Sequence, residues 1–241
     1  MKFKFACVVL MLAGVARGDM IVNSFDQYAP GQRLDAIDSW SAWNNVLADA
    51  ATISNAFAYS GSNSLQIGGA YTDGVKLLSA TTGSYTLTAQ MYLPSGQTGQ
   101  TYFIMMNRYV VNGNNDPAMW SVQLNFNLGA GRVTDDFRGG SVPIAFDRWV
   151  PITISIDLDA NTLRQYYNGA LIAQGSWTTG TSSVRQAQAL DLFTHGGNTA
   201  YYDDITFAAV PAPGPLAMAA SAMLLVWRRR PQTANVPSRG L

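Results

Sequence analysis

The chain has 241 residues, of which 48% are hydrophobic and 12% charged, with one cysteine and one histidine. Its acidic residues are all aspartates, and the one cysteine, Cys7, lies in an apolar N-terminal run, so the rest of the chain has neither disulfides nor thiolate chemistry. Between residues 19 and 209, fifteen Asp oppose one Lys and seven Arg, a net charge of −7. A surface of that sign argues against binding nucleic-acid phosphates.

The N-terminus has the three regions of a secretory signal. Lys2 and Lys4 precede an apolar run over residues 5–15, and Ala-Arg-Gly at 16–18 offers small residues for a signal peptidase. We therefore predict a cleaved signal peptide over residues 1–18 and export of the protein. The alternative is an uncleaved anchor, but the run is shorter than the roughly 20 apolar residues of a spanning helix.

Residues 19–209 are predicted to form one domain of short strands. Apolar and polar side chains alternate in three segments, at 84–93, 120–128 and 150–158. In the second segment Trp120 shares the parity of Val122 and Leu124, which predicts that Trp120 lies in the core. Further strands are expected at 21–25, 63–67, 75–79, 101–110 and 200–207. So many half-buried strands predict an all-β, antiparallel two-sheet β-sandwich.

Two local segments predict turns between strands. Asn168-Gly169 lies between two short β-forming runs and is the strongest short-range hairpin signal. Residues 157–161 begin like a calcium-binding EF-hand loop, but Thr162 stands where that loop needs glycine. We interpret residues 157–161 as a hairpin turn stabilised by Asp and Asn side chains.

Several short motifs in this domain resemble one family of jelly rolls. They are Phe25-Asp26, residues 60–65, residues 83–87, Trp149, residues 154–157, residues 167–169 and residues 202–205. Together they resemble the concanavalin A-like lectin/glucanase group, in its laminin-G-like branch. A galactose-binding-type jelly roll shares several of the same motifs. Either likeness implies a jelly-roll sandwich over most of residues 25–207.

The sequence offers few residues that could act as catalytic acids, bases or nucleophiles. Glucanases on the resembled fold use two carboxylates, most often glutamates, whereas this chain has no glutamate and lacks the glucanase strand motif. His195, the only histidine, lies beside two glycines, and the nearest acid in sequence, Asp191, stands four residues earlier. We interpret His195 as a turn residue and assign no catalytic residue. The alternative is a divergent glycan-cleaving enzyme that uses aspartates.

The same resemblance implies one metal site. In related jelly rolls an aspartate in the last strand and an acidic residue near the first strand help to bind a structural calcium ion. Asp26 and Asp204 occupy those positions here, with backbone carbonyls to complete an oxygen shell. The other interpretation of the Asp203-Asp204 pair is an ordinary solvated turn or strand-edge pair. Because neighbours on a strand point to opposite faces, the two aspartates cannot act as one catalytic pair.

Aromatic residues are the remaining candidates for a binding site, because flat rings pack against the apolar faces of sugars. Trp40 and Trp43 stand in a loop-like stretch with hydrogen-bonding neighbours, and Tyr102 and Tyr109 offer a second polar-aromatic surface. We predict these four residues as glycan contacts, with packing in the core as the alternative.

The last thirty residues resemble a sorting signal. Val210, Pro211, Ala212 and Pro213 precede an apolar run at 216–227, and Arg228, Arg229 and Arg230 follow it. This order resembles the PEP-CTERM signal of bacteria that make exopolysaccharide, which an exosortase-type membrane protease reads; Ala212 stands where that motif has Glu.

The length of the apolar run favours temporary anchoring in the membrane. As a helix it spans about 18 Å, less than the roughly 30 Å hydrocarbon core. The arginines favour the cytoplasmic side. We therefore predict a sorting signal over 210–230, a disordered cytoplasmic tail over 231–241, and transient membrane contact through 216–227. A plain C-terminal anchor is the alternative.

These observations predict an exported bacterial surface or extracellular-matrix protein. Its non-catalytic β-sandwich is expected to associate with polysaccharide. The alternatives are a structural envelope protein without a specific ligand and the divergent enzyme described above.

Overall fold

The computed structural model describes residues 21–113, 119–179 and 184–211. The predicted signal peptide and the sorting signal beyond Pro211 lie outside these residues. Within the described part of the chain, no helix is both long enough and apolar enough to cross a membrane.

One sheet has eight strands. They are β1 (Ile21–Asn23), β3 (Thr52–Ser54), β4 (Ser64–Gly69), β6 (Ser84–Tyr92), β11 (Trp149–Asp157), β12 (Thr162–Tyr167), β13 (Ala170–Ser176) and β15 (Asn198–Ala209). Their order is β13-β12-β11-β6-β15-β4-β3, and β1 also pairs with β15.

The other sheet has seven strands. They are β2 (Trp40–Ser41), β5 (Asp73–Ala80), β7 (Gln100–Met106), β8 (Trp120–Asn127), β9 (Arg132–Asp135), β10 (Ser141–Pro143) and β14 (Ala187–His195). Their order is β10-β9-β8-β7-β14-β5-β2, which places β14 between β7 and β5. Two short 3-10 helices, Trp43–Asn45 and Leu47–Asp49, follow β2. The strand pairs of both sheets are antiparallel, which confirms the predicted two-sheet β-sandwich.

The core lies between the sheets and follows the period-2 pattern of the sequence. In β11 the side chains of Val150, Ile152, Ile154 and Ile156 are buried, while the residues between them are more exposed. Phe103 and Phe126 from the seven-stranded sheet belong to the same cluster of buried residues. Burial of apolar area at about 25 cal/mol per Å² is the main favourable term for such a core, which has no disulfide to support it.

Both predicted turns are confirmed. β12 and β13 pair with Tyr167 opposite Ala170, so Asn168 and Gly169 form a two-residue loop. Their φ angles are 50° and 76°, as a type I′ turn requires. In the turn between β11 and β12, Asp157 Oδ1 accepts a hydrogen bond of 2.7 Å from the backbone N–H of Ala160.

Candidate functional site

The outer face of the seven-stranded sheet carries a second apolar cluster, separate from the core. Its buried members are Val75, Ile104, Met106, Tyr109 and Ala189, and the partly buried Trp43, Tyr102 and Trp120 pack against them. Along β14, Leu190 and Leu192 belong to the core between the sheets, whereas Ala189 belongs to the outer cluster. The alternation of the strand therefore places Asp191 and Phe193 on the outer face with Ala189.

A cavity of about 230 Å³ opens on this face. It is lined by Trp43, Asp73, Ile104, Trp120, Asp191 and Phe193. Trp43 begins the first 3-10 helix, where Asn44 has a φ of 51°, and its ring contacts that of Tyr109 at 5.4 Å. Aromatic rings and two carboxyl groups therefore share one concave surface, which is the usual composition of a small-molecule site.

Asp73 and Asp191 form a carboxyl pair in this cavity. In the register of β5 and β14, Asp191 is opposite Val75 and Phe193 is opposite Asp73, so the two aspartates are diagonal neighbours on one face. Burial raises the pKa of Asp191 well above its ordinary value, and the neighbouring Asp73 raises it further. Burial and then the charge of Asp49 raise the pKa of Asp73 to about 7. Interaction between the two side chains raises the pKa of Asp191 further and lowers that of Asp73.

Two side chains that line the cavity each carry a buried polar atom with no hydrogen-bond partner among the described residues. The atoms are Oδ1 of Asp191, whose residue is 3% exposed, and Nε1 of Trp120. One is an acceptor and the other a donor, and leaving such groups unsatisfied costs about 1–3 kcal/mol each. A hydroxyl group both donates and accepts, so a polyhydroxylated ligand in the cavity matches both atoms.

Three of the four predicted glycan contacts lie on this face. Trp43 lines the cavity and contacts Tyr109, which is 8% exposed. Tyr102 stacks on Phe193 with ring centroids 5.8 Å apart, and its hydroxyl donates to Gln100 Oε1 at 2.8 Å. The structure therefore brings Trp43, Tyr102 and Tyr109 together on one sheet.

The prediction of a glycan contact at Trp40 is wrong. Its side chain is fully buried, it packs against Phe25 at 5.8 Å, and its Nε1 donates to Asn23 Oδ1 at 3.0 Å. Trp40 pairs with Lys76 on the edge strand of the sheet and belongs to the core between the sheets.

The prediction that Trp120 lies in the core between the sheets is also wrong. Met105 pairs with Val122, but Met106 pairs with Trp120, so Ser121 is an extra residue at a β-bulge. The bulge breaks the alternation of β8 and places Trp120 in the outer cluster while Val122 stays in the core.

The prediction that His195 is a turn residue is wrong, because His195 is the last residue of β14. It is exposed, and its ring lies 5.6 Å from that of Tyr71. Four residues along a strand separate side chains by about 13 Å, so Asp191 does not orient His195. No strand is predicted for this segment from the sequence, so the place of Asp191 and Phe193 on the outer face could not be predicted either.

The predicted calcium residues meet at one turn. Asp26 Oδ1 accepts hydrogen bonds from the backbone N–H groups of Ser62, at 2.7 Å, and Asn63, at 3.0 Å. These bonds hold the pKa of the Asp26 carboxyl below its ordinary value. Asp204 Oδ1 accepts a hydrogen bond of 2.8 Å from Ser60 Oγ. The two carboxylates, far apart in sequence, therefore both contact the turn formed by residues 59–63.

Two residues at this turn, Gly61 and Asp204, have positive φ angles. Gly61 has a φ of 58°, and a Cβ at this position would collide with the Asp26 carboxylate. Asp204 has a φ of 44° at a bulge in β15, where the register with β6 shifts between Asp203 and Thr206. Carboxylate and hydroxyl oxygens are the type of ligand that calcium prefers. Among the described residues, however, no group of three or more His, Cys, Asp or Glu side chains could hold a metal ion.

A larger groove of about 800 Å³ lies elsewhere, along β6, β11, β12 and β13. Its lining includes Ser84, Asp157 and Arg164, and Ser84 Oγ already donates to Asp157 at 3.1 Å. None of the described residues that line it has a buried polar atom without a partner. The smaller cavity is therefore the better candidate site, because unsatisfied polar atoms and aromatic rings converge there.

Comparison with known proteins establishes the fold class. No protein-family model and no curated protein matches the chain. Among solved structures it resembles a sialidase, with a TM-score of 0.55 and 6% identity over 80% of this chain and 19% of that one. It also resembles the globular domain of T. cruzi calreticulin, with a TM-score of 0.53 and 8% identity over 87% and 94% of the two chains.

The chain thus spans about a fifth of the sialidase that it matches. A β-glucanase from Bacillus licheniformis matches with a TM-score of 0.48 and 13% identity, over 80% of this chain and 99% of the other. At 6% and 8% identity, the likeness to the sialidase and to the calreticulin domain is one of fold. The protein is an antiparallel β-sandwich of the jelly-roll class, with its best-formed candidate site on the outer face of the seven-stranded sheet.

Proposed function

We propose that this protein is a glycan-binding β-sandwich that associates with polysaccharide through the cavity at Trp43, Trp120 and Asp191. The observation that carries the proposal is that Trp120 and Asp191, which line one aromatic cavity, hold a buried donor and a buried acceptor without partners. Sugars present apolar ring faces and many hydroxyl groups, so they match both parts of this surface.

A binding panel tests this function directly. The purified chain is titrated with soluble polysaccharides and oligosaccharides, and the affinity is compared with those of the variants Trp43→Ala and Trp120→Ala. We expect each substitution to weaken binding at least tenfold, since a buried aromatic contact contributes on the order of 1.5–3 kcal/mol. Tyr59→Ala, which removes a 51% exposed ring beside Trp149 on the other sheet, is the matched control.

Two outcomes of the panel contradict the proposal. If no glycan binds, the protein is better described as a structural envelope protein without a specific ligand. If a glycan binds but the Tyr59 variant loses as much affinity as the Trp120 variant, the site lies elsewhere.

We favour glycan binding over glycan cleavage, although glycosidases also use a pair of carboxyl groups. The carboxyl groups of retaining glycosidases stand about 5–5.5 Å apart, and those of inverting ones farther. Asp73 and Asp191 are instead diagonal neighbours on adjacent strands, and their side chains interact directly. Release of reducing sugar by the wild-type chain, abolished in Asp191→Asn, would establish cleavage instead.

We further propose that the protein is exported and reaches the cell surface or the extracellular matrix. The N-terminal signal and the Pro-rich, apolar and Arg-rich order of the C-terminus support this, with signal peptidase and an exosortase-type protease as the processing partners. Mass spectrometry of both ends of the mature protein, together with its cell fraction, tests the proposal. An intact chain with both ends present in the cytoplasm would contradict it.

A structural calcium ion is the proposed cofactor. Asp26 and Asp204 would hold it together with oxygens of the turn at residues 59–63. The meeting of both carboxylates at that turn supports the proposal, and the ion would brace the turn against the last strand.

A further inference from the structure

The described lining of the cavity is acidic. It contributes two carboxyl groups, from Asp73 and Asp191, and no Lys, Arg or His side chain. The turn after β9 adds Asp136, which accepts a hydrogen bond of 2.6 Å from Gln123, the residue opposite Ile104. The charge of Asp49 also reaches Asp73. An anionic ligand would therefore meet negative charge from several directions.

The unpartnered atoms set a second condition on the ligand. Asp191 Oδ1 needs a hydrogen-bond donor, and Trp120 Nε1 needs an acceptor. A sugar hydroxyl supplies both. An ionised carboxylate has only acceptors, so it would leave Asp191 unsatisfied and would add a like charge beside the pair.

We infer that the cavity takes an uncharged sugar residue, with hydroxyl groups on Asp191 Oδ1 and Trp120 Nε1, and that it excludes uronic acids. This inference rests on the proposed glycan-binding function and specifies its ligand class. Burial and the neighbouring aspartates already disfavour negative charge at this pair, and a ligand carboxylate would add to that charge.

Calorimetric titration with paired oligosaccharides tests the inference. Each pair has the same linkage and length and differs in the group at C6: glucose against glucuronic acid oligomers, and mannose against mannuronic acid oligomers. We expect the wild-type chain to prefer the neutral member at least tenfold, because like charges a few ångströms apart repel strongly even when screened. The preference should shrink as salt is added.

Isosteric variants assign the preference to the pair. Asp73→Asn removes its negative charge without changing its shape and should reduce the preference to about threefold or less. Asp191→Asn should also weaken binding of the neutral oligomer, because the new amide changes the hydrogen-bonding pattern at the unpartnered atom. Asp159→Asn, at an exposed turn residue, should leave the preference unchanged. If Asp191→Asn does not fold, the Asp73 variant still decides the question.

The outcomes separate this inference from the function on which it rests. Uronate oligomers that bind as tightly as their neutral partners, and lose affinity in Trp120→Ala, would overturn the inference and leave glycan binding intact. An unchanged preference in Asp73→Asn would overturn it as well. Absence of binding by every oligomer would overturn both proposals.

Discussion

The substitution Asp73→Asn measures the energetic cost of the buried carboxyl pair. In the folded chain the pKa of Asp73 is raised from 3.8 to about 7, first by burial and then by the charge of Asp49. A group whose pKa is raised on folding binds protons more tightly in the folded state. Stability therefore falls as pH rises from about 4 to 7 and stays reduced above that range.

The size of the effect follows from the pKa. At about 1.36 kcal/mol for each pKa unit, the ionised Asp73 lowers the free energy of unfolding at pH 8 by up to about 4 kcal/mol. At pH 4 the same cost is only about half a kcal/mol. The amide introduced by the substitution does not ionise and can donate a hydrogen bond to Asp191. We therefore expect the variant to be more stable than wild type by about 2–4 kcal/mol at pH 8, and nearly equal to it at pH 4.

Urea unfolding of both chains at pH 4 and pH 8 provides the measurement. Other carboxyls contribute to the pH dependence of each chain, so the quantity of interest is the difference between the two chains at each pH. Asp159→Asn controls for the loss of one acidic charge at an exposed turn, and we expect it to change stability by less than about 0.5 kcal/mol. A variant less stable than wild type at pH 8, or a difference that does not depend on pH, would show that ionised Asp73 does not destabilise the folded chain.

Three further predictions concern the turn at residues 59–63 and the C-terminus. Gly61→Ala should lower the free energy of unfolding, measured by urea titration, by about 1–3 kcal/mol. Gly61 has a positive φ, and the new Cβ would collide with the Asp26 carboxylate. An unchanged free energy of unfolding would contradict this contact. Chelator should lower the melting temperature of wild type but not of Asp204→Asn, since a ligand bound only to the folded state stabilises it; an unchanged wild-type value would argue against calcium. Replacing the arginines at 228–230 by serine should shift the protein between cell fractions, and an unchanged distribution would contradict a sorting role.

The sandwich could be predicted from the sequence because its determinants are local. The alternation of Val150, Ile152 and Ile154 assigns one face of β11 to the core. Asn168 and Gly169 reach positive φ easily, which determines the hairpin between β12 and β13. Each of these signals is complete within about ten residues of chain.

The candidate site could be predicted only in part, because its determinants are not local. Trp120 was assigned to the wrong face because the bulge at Ser121 depends on how β8 pairs with β7. Asp73 and Asp191 stand in segments distant in sequence, and their contact arises from the pairing of β5 with β14. A polar residue between Leu190 and Leu192 was the one available signal, since it is typical of a strand with a polar position on its outer face.

A crystal structure of the chain with a bound neutral oligosaccharide would show where the sugar binds. We predict a sugar ring against Trp43 or Trp120 on the outer face of the seven-stranded sheet, with a hydroxyl group within hydrogen-bond distance of Asp191 Oδ1. A sugar bound instead in the groove beside Ser84 and Arg164, or elsewhere away from the seven-stranded sheet, would contradict the account.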